Sequence, residues 1–312
     1  MTAFAMTFPG QGSQSVGMLA DLAGVFPTVK TTFEEASDAL GLDLWALSQQ
    51  GPAEELNRTQ NTQPAMLSAG VAVWRVWNEQ GGAAPLVMAG HSLGEYSAMV
   101  ASGVIGFADA IKLVAERGRL MQEAVPQGVG AMAAILGLSD AEVREVCEKA
   151  AQGEVASAVN FNSPGQVVIA GNADAIARAI ELAKEAGAKR ALPLDVSVPS
   201  HCSLMQGAAD KLYEQMQGIA FNAPEVPVIQ NVNVEASSDV EQIKLLLKEQ
   251  LYSPVRWVES VNAMAARGGV TLVEAGPGKV LTGLCKRIDR NLNALAVFDG
   301  ASLEKALEAI NG

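Results

Sequence analysis

Ser92, His201 and Arg117 are the residues of this chain whose types and settings could do chemistry together. Ser92 lies in Leu86-Val87-Met88-Ala89-Gly90-His91-Ser92-Leu93-Gly94-Glu95-Tyr96, where an apolar run ends in G-x-S-x-G spacing and a helix-like segment follows to about Ser102. A strand, a sharp turn and a helix form the setting in which that spacing presents a nucleophile. Bulky neighbours at 90 and 94 would clash with strand and helix, so both glycines are needed. The turn holds a serine hydroxyl at the strand tip, and the first N–H groups of the helix face the same spot, where they can bind an oxyanion. G-x-S-x-G by itself also arises by chance; its strand-turn-helix context is what favours a nucleophile.

A serine hydroxyl is a poor nucleophile without a base. The chain has two histidines. His91 adjoins Ser92, and neighbouring side chains at a strand end diverge, so it is expected to pack behind the turn. His201 remains, in the loop Val198-Pro199-Ser200-His201. A lone histidine is more often a surface or satisfied core residue; here elimination favours His201. The order Ser…His matches α/β hydrolases, which place an acid between the two. Asp195, six residues before His201, is the local candidate for that acid.

Arg117 falls in Phe107–Val125, which has helical periodicity. Lys112, Glu116, Arg119 and Glu123 form a polar stripe, and Ala110, Val114, Gly118 and Met121 lie opposite. Arg117 belongs to the apolar side. A guanidinium there needs an anionic partner. That partner is either a structural carboxylate elsewhere in the chain or a substrate carboxylate gripped by the planar fork.

The elements that must position these residues follow from pattern. Residues 2–8 read as an apolar strand ending at Pro9-Gly10-Gln11-Gly12-Ser13-Gln14, a glycine-rich loop without the G-K-[ST] of a phosphate cradle. It is either an ordinary strand-to-helix turn or a loop lending N–H groups to a neighbouring strand end. Residues 15–80 read as mostly helical, with breaks at Gly24, Gly41, Gly51 and Pro64 and a polar helix entry at Gln60-Asn61-Thr62-Gln63-Pro64. Between 130 and 196 the pattern is strand (131–136), helix opened by Ser139 and Glu142 as a capping box, strand (155–161), turn, strand (166–170), helix (174–185) and strand (191–196). This β-α-β-β-α-β order is that of a ferredoxin-like unit. Beyond it come a helix at 204–216, a strand at 226–234, a helix at 240–250 ended before Ser253-Pro254, a helix at 258–266 and a strand at 270–274 before Gly276-Pro277-Gly278. The alternation implies parallel pairing. The expectation is therefore an α/β fold: a large subdomain (1–128 and 197–312) with a parallel sheet, an inserted ferredoxin-like small subdomain (129–196), and a catalytic cleft between them.

Bulk properties narrow the function. The 312 residues are 49% hydrophobic and 18% charged, enough for the core of a compact enzyme. Net charge is 22 − 34 = −12, which argues against general nucleic-acid binding. No apolar run reaches the roughly 20 residues of a membrane span, and the first residues lack a basic export-signal region. Cys147, Cys202 and Cys285 are scattered, with neither disulfide framework nor zinc spacing, as in a reduced cytoplasmic protein.

Taken together, the motifs resemble the malonyl-CoA:acyl carrier protein transacylase family of bacterial fatty acid synthesis. They are Phe8-Pro9-Gly10-Gln11-Gly12-Ser13-Gln14, Gly90-His91-Ser92-Leu93-Gly94-Glu95, Arg117 with Gly118 and Met121, Asn160-Phe161-Asn162-Ser163-Pro164, Pro199-Ser200-His201, Gln250-Leu251-Tyr252-Ser253-Pro254-Val255-Arg256-Trp257 and Glu274-Ala275-Gly276-Pro277-Gly278, which together span essentially the whole chain. The resemblance implies an α/β-hydrolase-like large subdomain with the ferredoxin-like insert, Ser92 as nucleophile and His201 as base. It places the oxyanion hole at the backbone N–H groups of Gln11 and Leu93, the malonyl carboxylate on Arg117, and Met121 and Ser200 on the pocket wall. The histidine is then oriented by the main-chain carbonyl of Gln250, which leaves Asp195 without a catalytic role. Related polyketide acyltransferases that select malonyl often carry phenylalanine where this chain has Ser200; stand-alone bacterial members tolerate the difference, and malonyl remains the expected group. The implied partners are malonyl-CoA and acyl carrier protein, with no metal, cofactor, nucleic acid or membrane, in a cytoplasmic monomer. A carboxylesterase would share Ser92 and His201 but have no use for Arg117. An acyltransferase for a different acyl group is the closest rival. A non-catalytic binding relative is disfavoured, because Ser92, His201 and Arg117 are all present.

Overall fold

The structure, a computed structural model, describes residues 2–126, 128–196 and 198–312. Its strands are β1 (Phe4–Phe8), β2 (Val87–Gly90), β3 (Gly130–Leu136), β4 (Ala156–Ser163), β5 (Gln166–Asn172), β6 (Arg190–Pro193), β7 (Val228–Ile229), β8 (Thr271–Ala275) and β9 (Asn293–Val297). Among the described residues they form a parallel sheet in the order β7-β2-β1-β8-β9 and an antiparallel sheet in the order β4-β5-β3-β6.

Every residue of β1, β2 and β8 is buried. Helices cover both faces of a parallel sheet, so its central strands read as continuous apolar runs rather than alternating ones. On one face Met6, Phe8, Met88 and Val273 join a large core with the helix Thr59–Glu79; on the other Ala5, Val87, Ala89 and Leu272 pack against Trp257, Val261 and Met264. β1 is central, and its register with β2 sets Phe8 beside Gly90. The loop after β1 and the turn after β2 therefore emerge side by side.

The second sheet alternates, as an antiparallel sheet with two different faces should. Ala133, Ile135, Val167 and Ile169 pack on the helices Asp140–Ala151 and Ala173–Glu185. Met132, Val168 and Ala170 face the other way, and Cys202 packs on that side. The strand order is that of a ferredoxin-like unit, as the β-α-β-β-α-β pattern requires. Ser139 and Glu142 do form a capping box at the head of the first helix. The expected subdomain boundary at Ser197 lies outside the described residues.

Several expected elements differ. The strand expected over 226–234 shrinks to the two residues of β7, because the chain turns at once to pair Gln230 N–H with the Glu235 carbonyl. Pro64 lies inside the helix Thr59–Glu79 instead of breaking the chain, and Gly24 lies within the helix Ala20–Val25. Pro64 costs one backbone hydrogen bond, but this helix buries most of its surface, and packing outweighs the local penalty. The strand expected to end at 196 ends at Pro193, and 203–205 form a 3-10 turn ahead of the helix Gln206–Met216.

Candidate active site

Ser92 occupies the left-handed region at φ 50° between β2 and the helix Leu93–Ala101. A Cβ on Gly90 would lie 1.8 Å from the Gly94 carbonyl carbon, and one on Gly94 would lie 2.0 Å from the Phe8 carbonyl oxygen. Strand, turn and helix thus approach more closely than any side chain allows, which is the physical content of the two glycines. His91 makes no hydrogen bond to the Ser92 hydroxyl, but it lines the cleft rather than packing behind the turn. Its Nε2 meets Asn162 Oδ1 at 2.7 Å and its ring lies 5.5 Å from that of Trp257.

The Ser92 hydroxyl donates to His201 Nε2 at 2.7 Å. His201 also has a left-handed backbone, φ 65°; such positions are strained for a non-glycine residue and concentrate at functional sites. Its Nδ1 donates to the main-chain carbonyl of Gln250 at 2.7 Å, and its N–H donates to the carbonyl of Leu251 at 2.9 Å. A carbonyl can only accept, so the proton sits on Nδ1 and Nε2 is left as the acceptor for Ser92. Burial, with Arg117 nearby, lowers the His201 pKa to about 3, so the ring is neutral near pH 7. Asp195 is exposed and is not the acceptor of the ring.

Arg117 is buried at 2% exposure on the helix Phe107–Ala124. Close packing at its neighbour Gly118 lets that helix approach the helix Thr59–Glu79: a Cβ there would lie 2.7 Å from Gln60 Cα. Nη1 of Arg117 donates to Gln63 Oε1 at 2.8 Å. Nη2 donates to Gln250 Oε1 at 3.1 Å and to Ser92 Oγ at 3.3 Å. These acceptors are neutral: among the described residues no carboxylate hydrogen-bonds Arg117, and its cation aims at the nucleophile. The guanidinium also lies 5.5 Å from the Tyr96 ring centre. Burial lowers its pKa, with Tyr96 and Glu95 acting in the opposite direction. The polar stripe of the same helix behaves as expected, Arg119 bridging Glu116 and Glu123 at the surface.

These groups open on a cavity of about 120 Å³ between the two sheets. Gln11, Ser92, Leu93, Arg117 and Met121 line it from one side, Met132, Asn160 and Val168 from the other, and Ser200 and His201 from the connecting loop. A register shift in β4 between Ala158 and Asn160 sets Asn160 at the cavity, and hydrogen bonds of β4 with Val255 fasten the small sheet to the segment after Gln250. Every site residue singled out from the sequence, apart from Asp195, therefore lies at or beside one cleft. Sequence reasoning passes over Gln63, Asn231 and the side chains of Gln250 and Glu95. Gln63 has a signal in the polar entry of an otherwise buried helix; Asn231 has none, because it falls in a run that reads as a strand.

A buried, neutral histidine on a strained serine, with a cation at the nucleophile and a cleft between a parallel and an antiparallel sheet, defines a serine enzyme of acyl-transfer type on an α/β fold. The family model described as the acyl transferase domain matches residues 6–296. The malonyl CoA-acyl carrier protein transacylase of Escherichia coli (strain K12) is 62% identical over 308 residues, covering 99% of this chain and all of that protein. That of Bacillus subtilis (strain 168) is 47% identical over 311 residues, covering 99% of this chain and 98% of that protein. The chain belongs to the malonyl CoA-acyl carrier protein transacylase family. Among solved structures, an acyl carrier protein S-malonyltransferase from Vibrio cholerae superposes with a TM-score of 0.96 at 62% identity, over 98% of this chain and all of that one. A malonyl-transacylase solved in complex with its type II PKS acyl-carrier protein superposes at 0.98 with 60% identity, over 99% of this chain and all of that one.

Proposed function

We propose that the protein transfers the malonyl group from malonyl-CoA to the phosphopantetheine thiol of acyl carrier protein, through a malonyl ester on Ser92. The observation that carries this reading is Arg117: a buried guanidinium 3.3 Å from the Ser92 hydroxyl whose hydrogen-bond acceptors are all neutral. An esterase has no use for that charge; an acyl group ending in a carboxylate does.

In the first half-reaction the malonyl carboxylate is held by Arg117. Neutral His201 takes the Ser92 proton as Oγ attacks the thioester carbon, and the Gln250 carbonyl stabilises the imidazolium that forms. The developing oxyanion is assigned to the backbone N–H groups of Gln11 and Leu93, two residues that line the cavity. CoA thiolate departs with the proton from His201. In the second half-reaction His201 deprotonates the carrier thiol, which attacks the serine ester, and Ser92 recovers its proton. Met121 and Ser200 shape the acyl pocket. Every proton transfer is assigned to a side chain of this protein, so the scheme needs no metal or redox cofactor. The reading extends to a cytoplasmic monomer serving fatty acid synthesis, built from a catalytic subdomain (1–128 and 197–312) and an inserted small one (129–196). Among the described residues no helix is long and apolar enough to cross a membrane.

Intact-protein mass spectrometry after mixing with malonyl-CoA or acetyl-CoA tests the proposal. Wild type should gain one malonyl group in preference to an acetyl group, and Ser92→Ala should gain neither. A malonyl adduct on Ser92→Ala, or steady ester hydrolysis without an adduct, would sink it.

A further inference from the structure

Glu95 sits in the first turn of the helix Leu93–Ala101 and has no exposure to solvent. A carboxyl group in such a place is costly unless its oxygens are occupied. Oε2 accepts two hydrogen bonds, from the Asn231 N–H at 2.9 Å and from Gln250 Nε2 at 2.9 Å. Both donors belong to residues that touch the reacting groups. Asn231 accepts the Ser92 N–H on Oδ1 at 2.8 Å and donates from Nδ2 to the Gly90 carbonyl at 2.7 Å, so it spans the nucleophile's turn. Gln250 donates from Nε2 to the Ser92 carbonyl at 3.0 Å and accepts Arg117 on Oε1, while its main-chain carbonyl holds His201.

We infer that Glu95 is a positioning residue, fixing Asn231 and Gln250 so that the Ser92 hydroxyl and His201 Nε2 stay aligned. The chain needs such an anchor at both places. Asn231 follows a strand of two residues, which offers little ladder to hold its backbone. Gln250 is the last residue of the helix Val240–Gln250, where carbonyls have no partner within the helix; that frees its carbonyl for His201 and leaves its side chain to be held from elsewhere. The carboxyl suits the task because Oε2 accepts from both donors when the group is ionised and still can when the proton sits on Oε1. Glutamine at 95 would either turn its amino group toward two donors or bury it where Oε1 now has no partner. Burial raises the Glu95 pKa to about 7, the mark of a carboxyl kept in the interior at some cost.

This inference rests on the serine chemistry proposed above, and the test separates the two. The probe is a fluorophosphonate, which labels an activated serine whatever its natural acyl donor: Oγ bonds to phosphorus and fluoride leaves. Glu95→Gln should slow Ser92 labelling about 10- to 100-fold, the usual effect of displacing the support of a reacting group. It should lower kcat for malonyl transfer in step, with KM for malonyl-CoA nearly unchanged. Combined with Gln250→Leu, the two losses should be less than multiplicative, because both act through one side chain. Labelling at the wild-type rate, fully multiplicative losses, or a lower melting midpoint with unchanged labelling by the folded protein would each overturn the inference. Should Glu95→Gln fail to fold, Asn231→Ala and Gln250→Leu cut the two arms separately; full labelling speed in both overturns it. Wild-type protein that is labelled yet accepts no malonyl would sink the malonyl reading and leave Glu95 to be judged on its labelling rates.

Discussion

Replacing Arg117 by alanine should convert a malonyl-selective site into one that barely distinguishes malonyl from acetyl. The side chain is 2% exposed, and its two terminal nitrogens rest on the amide oxygens of Gln63 and Gln250 and on the nucleophile itself. Amide oxygens accept from its terminal nitrogens, Nε has no partner, and Glu95 acts on its charge only from beyond hydrogen-bond contact, so an arriving carboxylate gains both hydrogen bonds and charge. Separating such a buried pair costs about 3–5 kcal/mol, which at 1.36 kcal/mol per decade is about two to four decades in kcat/KM. Acetyl-CoA brings no carboxylate and has nothing comparable to lose. The assay is kcat/KM for malonyl-CoA and for acetyl-CoA, with the carrier protein as acceptor, in wild type, Arg117→Ala and Arg117→Lys. The malonyl-to-acetyl ratio should fall steeply in Arg117→Ala, and Arg117→Lys, which keeps the charge and loses the fork, should fall between. A ratio that stays at the wild-type value in Arg117→Ala would show that the cation serves only to tie Gln63 to Gln250 and that another group reads the carboxylate.

His201→Ala should slow adduct formation about 10²- to 10⁴-fold, whereas Asp195→Asn, at an exposed position that is not the acceptor of the ring, should change it little; a triad-sized loss in Asp195→Asn would overturn the carbonyl-oriented histidine. Docking of an acidic carrier on this acidic chain calls for a local basic patch. Lys189 with Arg190 and Lys286 with Arg287 and Arg290 are exposed candidates, Arg287 reaching Gln166 on β5 at 2.7 Å; reversing Lys286 and Arg287 to glutamate should raise KM for the carrier and spare acylation by malonyl-CoA, and equal losses in both half-reactions would refute a docking role. The last prediction concerns pH. The Glu95 pKa is raised from 4.5 to about 7, so between those values the unfolded chain releases the proton first. Its contribution is then fully present below pH 4.5 and lost as pH rises through 7, by about 3 kcal/mol. Urea unfolding of wild type and Glu95→Gln from pH 4 to 8 should show the wild type losing ground to the variant across that window; a constant difference would contradict the buried, protonatable carboxyl.

Much of the site was legible because its signals are local. The G-x-S-x-G spacing needs only neighbours in sequence to produce its turn, and the structure meets it with a serine at φ 50° and two glycines whose missing Cβ atoms would overlap backbone. Arg117 stood out because helical periodicity alone puts it among apolar residues. His201 stood out because the chain has two histidines and the other adjoins the nucleophile. The ferredoxin-like unit declared itself through the β-α-β-β-α-β order of its short elements, with a capping box at its first helix. Where local preference met tertiary packing, packing decided: Pro64 stays inside a helix whose burial outweighs one lost bond, and the expected nine-residue strand keeps two residues because the chain turns toward Glu235.

What folding alone decided is which groups satisfy the reactive ones. The acceptor for His201 is a backbone carbonyl 49 residues away. Every residue carries a carbonyl, so no residue type marks that role, and the family resemblance rather than composition or spacing pointed to Gln250. The acceptors of Arg117 are amides rather than an acid, and Asn231 and Glu95 meet across 136 positions of sequence. Residue type and spacing can say that a buried cation or a nucleophilic serine must be supplied with partners. The sheet order β7-β2-β1-β8-β9, which sets the ends of β1, β2 and β7 together, is what supplies them.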